Sequence, residues 1–175
     1  PGTRFLFVGY VSYPPNLHAA RRLTQTLLPA LRTVLPGATV TIAGREASAL
    51  RAPDRPGLRV IDSPADLRPL YAEASAVMLP IAEGGGTRLK VLEALAAGRP
   101  IIATDKAVEG LGLIPGTHYL RATSDAEFVA AAMRLAQGER LGADLRAAGL
   151  ALVARDHGPE VIPRAVAAAL AALPA

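Results

Sequence analysis

Gly84-Gly85-Gly86-Thr87-Arg88-Leu89-Lys90-Val91-Leu92-Glu93-Ala94 is the stretch from which the rest of this 175-residue chain can be read. An apolar, strand-like run from Ala76 to Ala82 precedes the three glycines, and a helix-like run with Thr87 at its start follows them. Such a junction presents bare backbone N–H groups at the positive end of a helix dipole, where an anion binds closely. Arg88 and Lys90 add two cations within the first two turns, and Glu93 adds a carboxylate. At 1.5 Å rise per residue Glu93 lies roughly 7–9 Å along the helix, about the span from a diphosphate to a ribose ring. An ionised carboxylate there accepts hydrogen bonds from vicinal hydroxyls. The plainer reading of the same letters is a flexible turn followed by a Lys90–Glu93 surface pair at i, i+3.

Outward from this junction, short β-type runs alternate with longer helical ones. Arg4 to Gly9, Thr39 to Gly44, Leu58 to Ile61, Ala76 to Ile81, Pro100 to Thr104 and His118 to Arg121 read as six strands. The fourth is apolar almost throughout, as a central parallel strand covered on both faces should be, and Pro80 marks its end. Asn16 to Leu35 carries Leu17, Ala20, Leu23, Leu27, Leu28, Leu31 and Val34 at helical spacing, with a kink or break expected near Leu28 because of Pro29. Further helices are expected over Asp66 to Ser75 (capped by Ser63 or Asp66), Thr87 to Ala97 with Gly98 as a left-handed C-cap, Ala126 to Gln137, Arg140 to Arg155 and Pro159 to Leu173. Ser124 and Glu127 have capping-box spacing. The alternation implies one α/β, Rossmann-like three-layer domain over residues 1–175: a parallel sheet of about six strands, helices on both faces, and a helical, Ala-rich C-terminal tail. Ligands of such folds bind where strand order reverses, at the C-terminal strand ends, and the glycine-rich turns cluster there.

Composition narrows the function classes. The chain is 51% hydrophobic but only 4% aromatic, so its core is built from Ala, Leu and Val. No apolar run reaches the ~18 residues of a transmembrane helix. The net charge of +4 comes from scattered arginines rather than from a basic block with interleaved aromatics, which argues against nucleic acid. There is no cysteine, and the three histidines, His18, His118 and His157, are too dispersed for a metal constellation, so no metal site is expected. Asp105 and Lys106 read as solvated turn residues. The start at Pro1, without Met, suggests a piece of a longer protein.

The segment Gly84 to Thr104 as a whole, with Glu109-Gly110-Leu111, Phe7-Val8-Gly9, Tyr13-Pro14-Pro15-Asn16, Ala43-Gly44-Arg45 and Asp66 to Pro80, resembles the nucleotide-sugar-binding half of family 4 glycosyltransferases, group 1 enzymes of the GT-B fold. The resemblance covers most of residues 4–155, in order. It implies the C-terminal, donor-binding domain of an enzyme that transfers a sugar from a UDP- or GDP-linked donor, typically with retention, in polysaccharide, lipid or other glycoconjugate synthesis. The acceptor would lie on an N-terminal domain outside this chain, and the chain alone should not turn over. The resemblance further implies no cofactor, a cytoplasmic location, and peripheral contact with the inner membrane face through the parent protein. Glu93 maps onto the glutamate that holds the ribose. Gly84, Gly85, Gly86, Thr87 and Arg88 map onto the diphosphate contact, with Lys90 assisting. Asp62, Ser63, Glu109, Gly9, Asn16 and Arg45 fall on the loops around the base and pocket.

The chain departs from the family at two places. The usual glutamate pair is separated by seven residues, and counting back from Glu93 reaches Gly85; Glu83, two residues earlier, is the candidate replacement as the catalytic, sugar-reading carboxylate. The customary Arg and Lys after the first strand are absent from Tyr10 to Asn16. Two other readings stay open: a sugar-nucleotide epimerase of the same fold, and a non-catalytic nucleotide-binding or interaction module.

Overall fold

Arg4–Val8 (β1), buried in all but its first residue, becomes the centre of a six-stranded sheet. In the computed structural model, which describes residues 3–52, 54–158 and 161, it is joined by Thr39–Gly44 (β2), Leu58–Asp62 (β3), Ala76–Leu79 (β4), Ile101–Ala103 (β5) and Leu120–Arg121 (β6). The order is β3-β2-β1-β4-β5-β6, and every pair is parallel. β1 pairs with β2 in the register Phe5↔Val40 and Phe7↔Ile42, and with β4 in the register Phe5↔Ala76. β4 is buried throughout and stops before Pro80, which has no N–H to extend a ladder.

Pro14–Arg22 (α1), a π-helical turn at Leu23–Leu27 and Leu28–Val34 (α2) form one continuous helical rod. The break expected near Leu28 takes the form of that wide turn. Pro29 has no N–H to offer the carbonyl one turn back, and the Leu28 N–H reaches Leu23 O instead. Leu23, Leu27, Leu28 and Leu31 stay buried, but the extra residue in the turn rotates the end of the rod. Val34, placed on the apolar face by its spacing, is therefore 42% exposed.

Arg68–Glu73 (α3) is shorter than expected, and the Asp66 carboxylate accepts from the Arg68 N–H at 2.9 Å. Leu89–Ala96 (α4) follows β4 and ends at Gly98 in the left-handed region (φ +64°). One short helix was not legible in the sequence: Asp105–Val108 (α5), capped by the Thr104 hydroxyl accepting from the Ala107 N–H. Asp105 and Lys106, expected as solvated turn residues, are at least partly exposed but belong to this helix and are paired. Asp105 accepts from the Tyr119 hydroxyl and pairs with Arg121, while Lys106 pairs with Glu109. Asp125–Gln137 (α6) starts at a complete Ser124/Glu127 capping box, and Glu139–His157 (α7) follows. The helix expected over residues 159–173 and the Ala-rich tail lie outside the described residues.

The connections β1→β2 and β4→β5 step across the sheet in opposite directions. Right-handed crossovers therefore put α1–α2 and α4 on opposite faces. α6 packs with α2, and α7 packs on α4. Gly149 of α7 allows that approach: a Cβ there would stand 2.7 Å from a methyl of buried Leu95. Strand order reverses between β1 and β4, which fixes the position of the main crevice.

Candidate functional site

The crevice at the C-terminal ends of β1 and β4 is a cavity of about 510 Å³. Its floor is backbone. Gly44 (φ +129°) lies so close to Gly9 that a Cβ would fall 2.1 Å from Gly9 O, so no other residue fits at the end of β2. One wall is the glycine turn, where Gly84 and Gly86 take φ of +100° and +106°. Gly84 packs against Pro15, the second residue of α1.

The helix after this turn begins at Leu89, not at Thr87. Arg88 is the reason: it sits in the left-handed region (φ 55°), a conformation costing a non-glycine residue on the order of 1 kcal/mol. Thr87 is left exposed in the turn, and the Arg88 side chain folds back into the cavity wall. This side chain is only 9% exposed, and its guanidinium donates to Gly84 O at 3.2 Å and to Glu109 Oε2 at 3.0 Å. The Nε is buried and has no hydrogen-bond partner among the described residues. An orphaned N–H of this kind costs about 1–3 kcal/mol. Glu109 is exposed, and the Lys106 ammonium first, then Arg88, holds its carboxyl below the usual range.

Lys90 does not pair with Glu93 as the plainer sequence reading had it. Its ammonium donates to Asn16 Oδ1 and lies 5.0 Å from the centre of the Phe7 ring. Asn16 is buried, and its amide donates to Tyr10 O at 2.8 Å, which fixes the acceptor's direction. Desolvation, reinforced by the neighbouring Arg88 charge, pulls the Lys90 pKa down to about 8. Two cations from the start of α4, Arg88 and Lys90, thus line the crevice, and Asn16 on the β1 side holds one of them.

Glu93 lines the same cavity one turn further along α4 and accepts from the Tyr71 hydroxyl at 3.0 Å. Glu83 also lines the cavity, and its carboxylate lies 2.7 Å from His18 Nδ1. Arg45 lies over the Tyr10 ring at 4.9 Å, and both line the cavity. Gly85 lies in the turn with open space around it. Asp62 and Ser63 do not line the cavity: Asp62 accepts from the hydroxyls of Ser48 (2.6 Å) and Ser63 (2.9 Å) and from the Ala47 N–H. These bonds, Ser48's foremost, hold its carboxyl below the usual range and tie the end of β3 to the turn after β2. His118 accepts from the Ile114 N–H and shapes a turn. Among the described residues no group of three or more His, Asp or Glu could hold a metal ion, and no helix is long and apolar enough to cross a membrane.

Tyr71 is the site-adjacent residue that sequence reasoning missed. Its position among Leu67, Leu70 and Ala74 marks a core face, and nothing in that spacing says where the hydroxyl points.

The family profile described as Glycosyl transferases group 1 matches residues 2–137. The chain belongs to the group 1 glycosyl transferases. No curated protein matches it significantly in sequence. Among solved structures, this group 1 domain superposes on HepE of Anabaena in complex with UDP with a TM-score of 0.78 at 15% identity, covering 97% of the chain and 49% of HepE. The pneumococcal O-GlcNAc transferase GtfA, in complex with UDP and GlcNAc, gives 0.70 at 18% identity over 94% of this chain and 35% of its own. The C-terminal domain of the group 1 glycosyl transferase LpcC from Francisella tularensis gives 0.65 at 15% identity, covering 90% and 87% of the two chains. At these identities the likeness is one of fold, the Rossmann-like domain of GT-B enzymes. The chain spans about half or less of the length of HepE and GtfA.

Proposed function

We propose that this chain is the donor-binding domain of a group 1 glycosyltransferase and holds a UDP- or GDP-linked sugar in the β1/β4 crevice. One observation carries the reading: a glycine turn delivers a buried guanidinium with a spare N–H and a partly buried ammonium to one wall, and a carboxylate stands one turn beyond. A diphosphate seated there would give the Arg88 guanidinium an anion, its Nε becoming available on a small shift of the side chain, and would give Lys90 another. Glu93 then meets the ribose hydroxyls, and the base lies toward the end of β2 and Arg45. As the glycosidic bond breaks, the two cations stabilise the charge growing on the leaving diphosphate. Because side chains supply that charge, affinity is expected to be the same in EDTA as with Mg²⁺. Glu83, which lines the crevice beside the glycine turn, is on this reading the carboxylate that meets the sugar. We further infer retention of configuration, family 4 membership, an acceptor site on an N-terminal domain of the parent protein, and a cytoplasmic enzyme working at the inner membrane face.

Calorimetric titration of the chain with UDP, GDP and their sugars tests the proposal. Weak binding of one nucleoside diphosphate is expected, with Arg88→Ala and Glu93→Ala each losing about 1–3 kcal/mol. Absence of binding to every nucleoside diphosphate overturns it. The His18–Glu83 pair gives the epimerase reading one specific feature. Product analysis with the parent enzyme separates the two: transfer to an acceptor supports the proposal, and an isomerised nucleotide sugar supports the epimerase.

A further inference from the structure

Glu93 stands between two cavities. It lines the 510 Å³ crevice with Arg88 and Lys90, and it also lines a second cavity of about 550 Å³ between α3 and α4, whose wall includes Tyr71. Glu93 is an exposed residue, and the bond from Tyr71 is the one side-chain hydrogen bond its carboxylate makes among the described residues. Tyr71 is the opposite case. Its ring is 5% exposed, in the core, and its N–H is bonded to Leu67 O. The hydroxyl of this fixed ring donates to Glu93 Oε2 at 3.0 Å, while Oε1 has no hydrogen-bond partner among the described residues.

We propose that Tyr71 is a positioning residue that sets the ribose selectivity of the site: its hydroxyl holds one oxygen of Glu93 and leaves the other oriented for the vicinal diol of a ribonucleoside diphosphate. This rests on the reading of Glu93 as the ribose contact. The chemistry follows from the inventory of a carboxylate, which accepts at both oxygens through about four lone-pair sites. One phenol donor leaves enough acceptor capacity for two ribose hydroxyls. A long, flexible side chain loses rotamer entropy on binding, and a bond already made in the free protein removes part of that loss. Burial and the Glu93 charge push the phenol pKa up, so the group stays protonated and able to donate around neutral pH. A tie that merely joins α3 to α4 would make the same bond but would not distinguish one sugar from another.

The test compares a ribonucleoside diphosphate (UDP or GDP, whichever binds) with its 2′,3′-dideoxy counterpart on the wild-type chain, Tyr71→Phe and Glu93→Ala. Phe keeps the ring that fills the core, and the exposed Glu93 oxygen is rehydrated, so the variant is expected to fold. Melting temperature confirms this. In Tyr71→Phe, affinity for the ribonucleotide falls about three- to tenfold while affinity for the dideoxy analogue is unchanged. An unchanged ratio of the two affinities in Tyr71→Phe, whether both fall together or neither moves, overturns the inference. Glu93→Ala reports on the underlying reading: a ratio collapsing to about one supports it, and a wild-type ratio there removes it, whatever Tyr71→Phe does.

Discussion

Lys90 meets two opposed demands. Its place between Asn16 and Phe7 desolvates the ammonium, while a bound diphosphate would favour it charged. The Lys90 pKa in the folded protein lies near 8, below the ordinary lysine value of 10.5. Below pH 8 the lysine is charged in folded and unfolded chains alike, and its burial penalty is constant. Between 8 and 10.5 the unfolded chain binds more protons, so this residue's contribution to stability rises with pH. On the proposed reading nucleotide affinity should run the other way: an anionic ligand would select the protonated amine, and affinity should fall as pH rises above about 8. Arg88, which depresses the pKa, and Glu93, which raises it, are the charged groups that act on the amine. Lys90→Met should flatten the pH dependence in calorimetry and lower the affinity, while melting temperature at pH 7 should change little, because relief of a desolvated cation is opposed by the loss of the donor to buried Asn16 Oδ1. Arg88, Lys90 and Glu93 were legible from the motif. Their partners Asn16 and Tyr71 were not, since those bonds join residues 74 and 22 positions apart.

At the scale of elements, periodicity located most helices and strands, and the departures have local causes. α4 starts late because Arg88 takes a left-handed conformation, and Gly84 must pass Pro15 at the start of α1. A threonine after glycines looks like a cap, but the turn's contact with another element decides where the helix begins. α5 was invisible for a related reason: its four residues carry no periodic signal, and its cap is Thr104, whose hydroxyl also donates to Ile81 O. Helix α7 offers a paired test. Gly142 has nothing within 4 Å of an added Cβ, whereas a Cβ at Gly149 would meet Leu95 at 2.7 Å. Gly142→Ala should therefore gain up to about 1 kcal/mol from helix propensity. Gly149→Val should lose about 1–3 kcal/mol through overpacking between α4 and α7. Denaturant melts that show equal effects at the two positions would contradict this account of the α4–α7 contact.

For the whole molecule, the site is a consequence of strand order. β1 and β4 are neighbours in the sheet although about seventy residues separate them in the chain, and their loops meet only because the order reverses there. Ligand binding should accordingly stabilise the entire domain. The nucleoside diphosphate at a hundred times its Kd adds about 2.7 kcal/mol, a rise of roughly 5–10 °C in melting temperature for a domain of this size. Arg88→Ala, assayed at that same concentration, should lose between about a third and nine-tenths of this rise in a thermal-shift measurement. The sequence by itself determined the α/β alternation, the central apolar strand, and the glycine junction with its two cations and a carboxylate. It did so because those signals are local: side-chain period, turn chemistry and helix spacing act within a few residues. Tertiary structure alone decided that Arg88 is buried with a spare N–H, that Asn16 stands against Lys90, that His18 meets Glu83, and that Tyr71 holds Glu93. Each of these depends on the distance between elements brought together by sheet order and crossover handedness, which no local window of the chain contains.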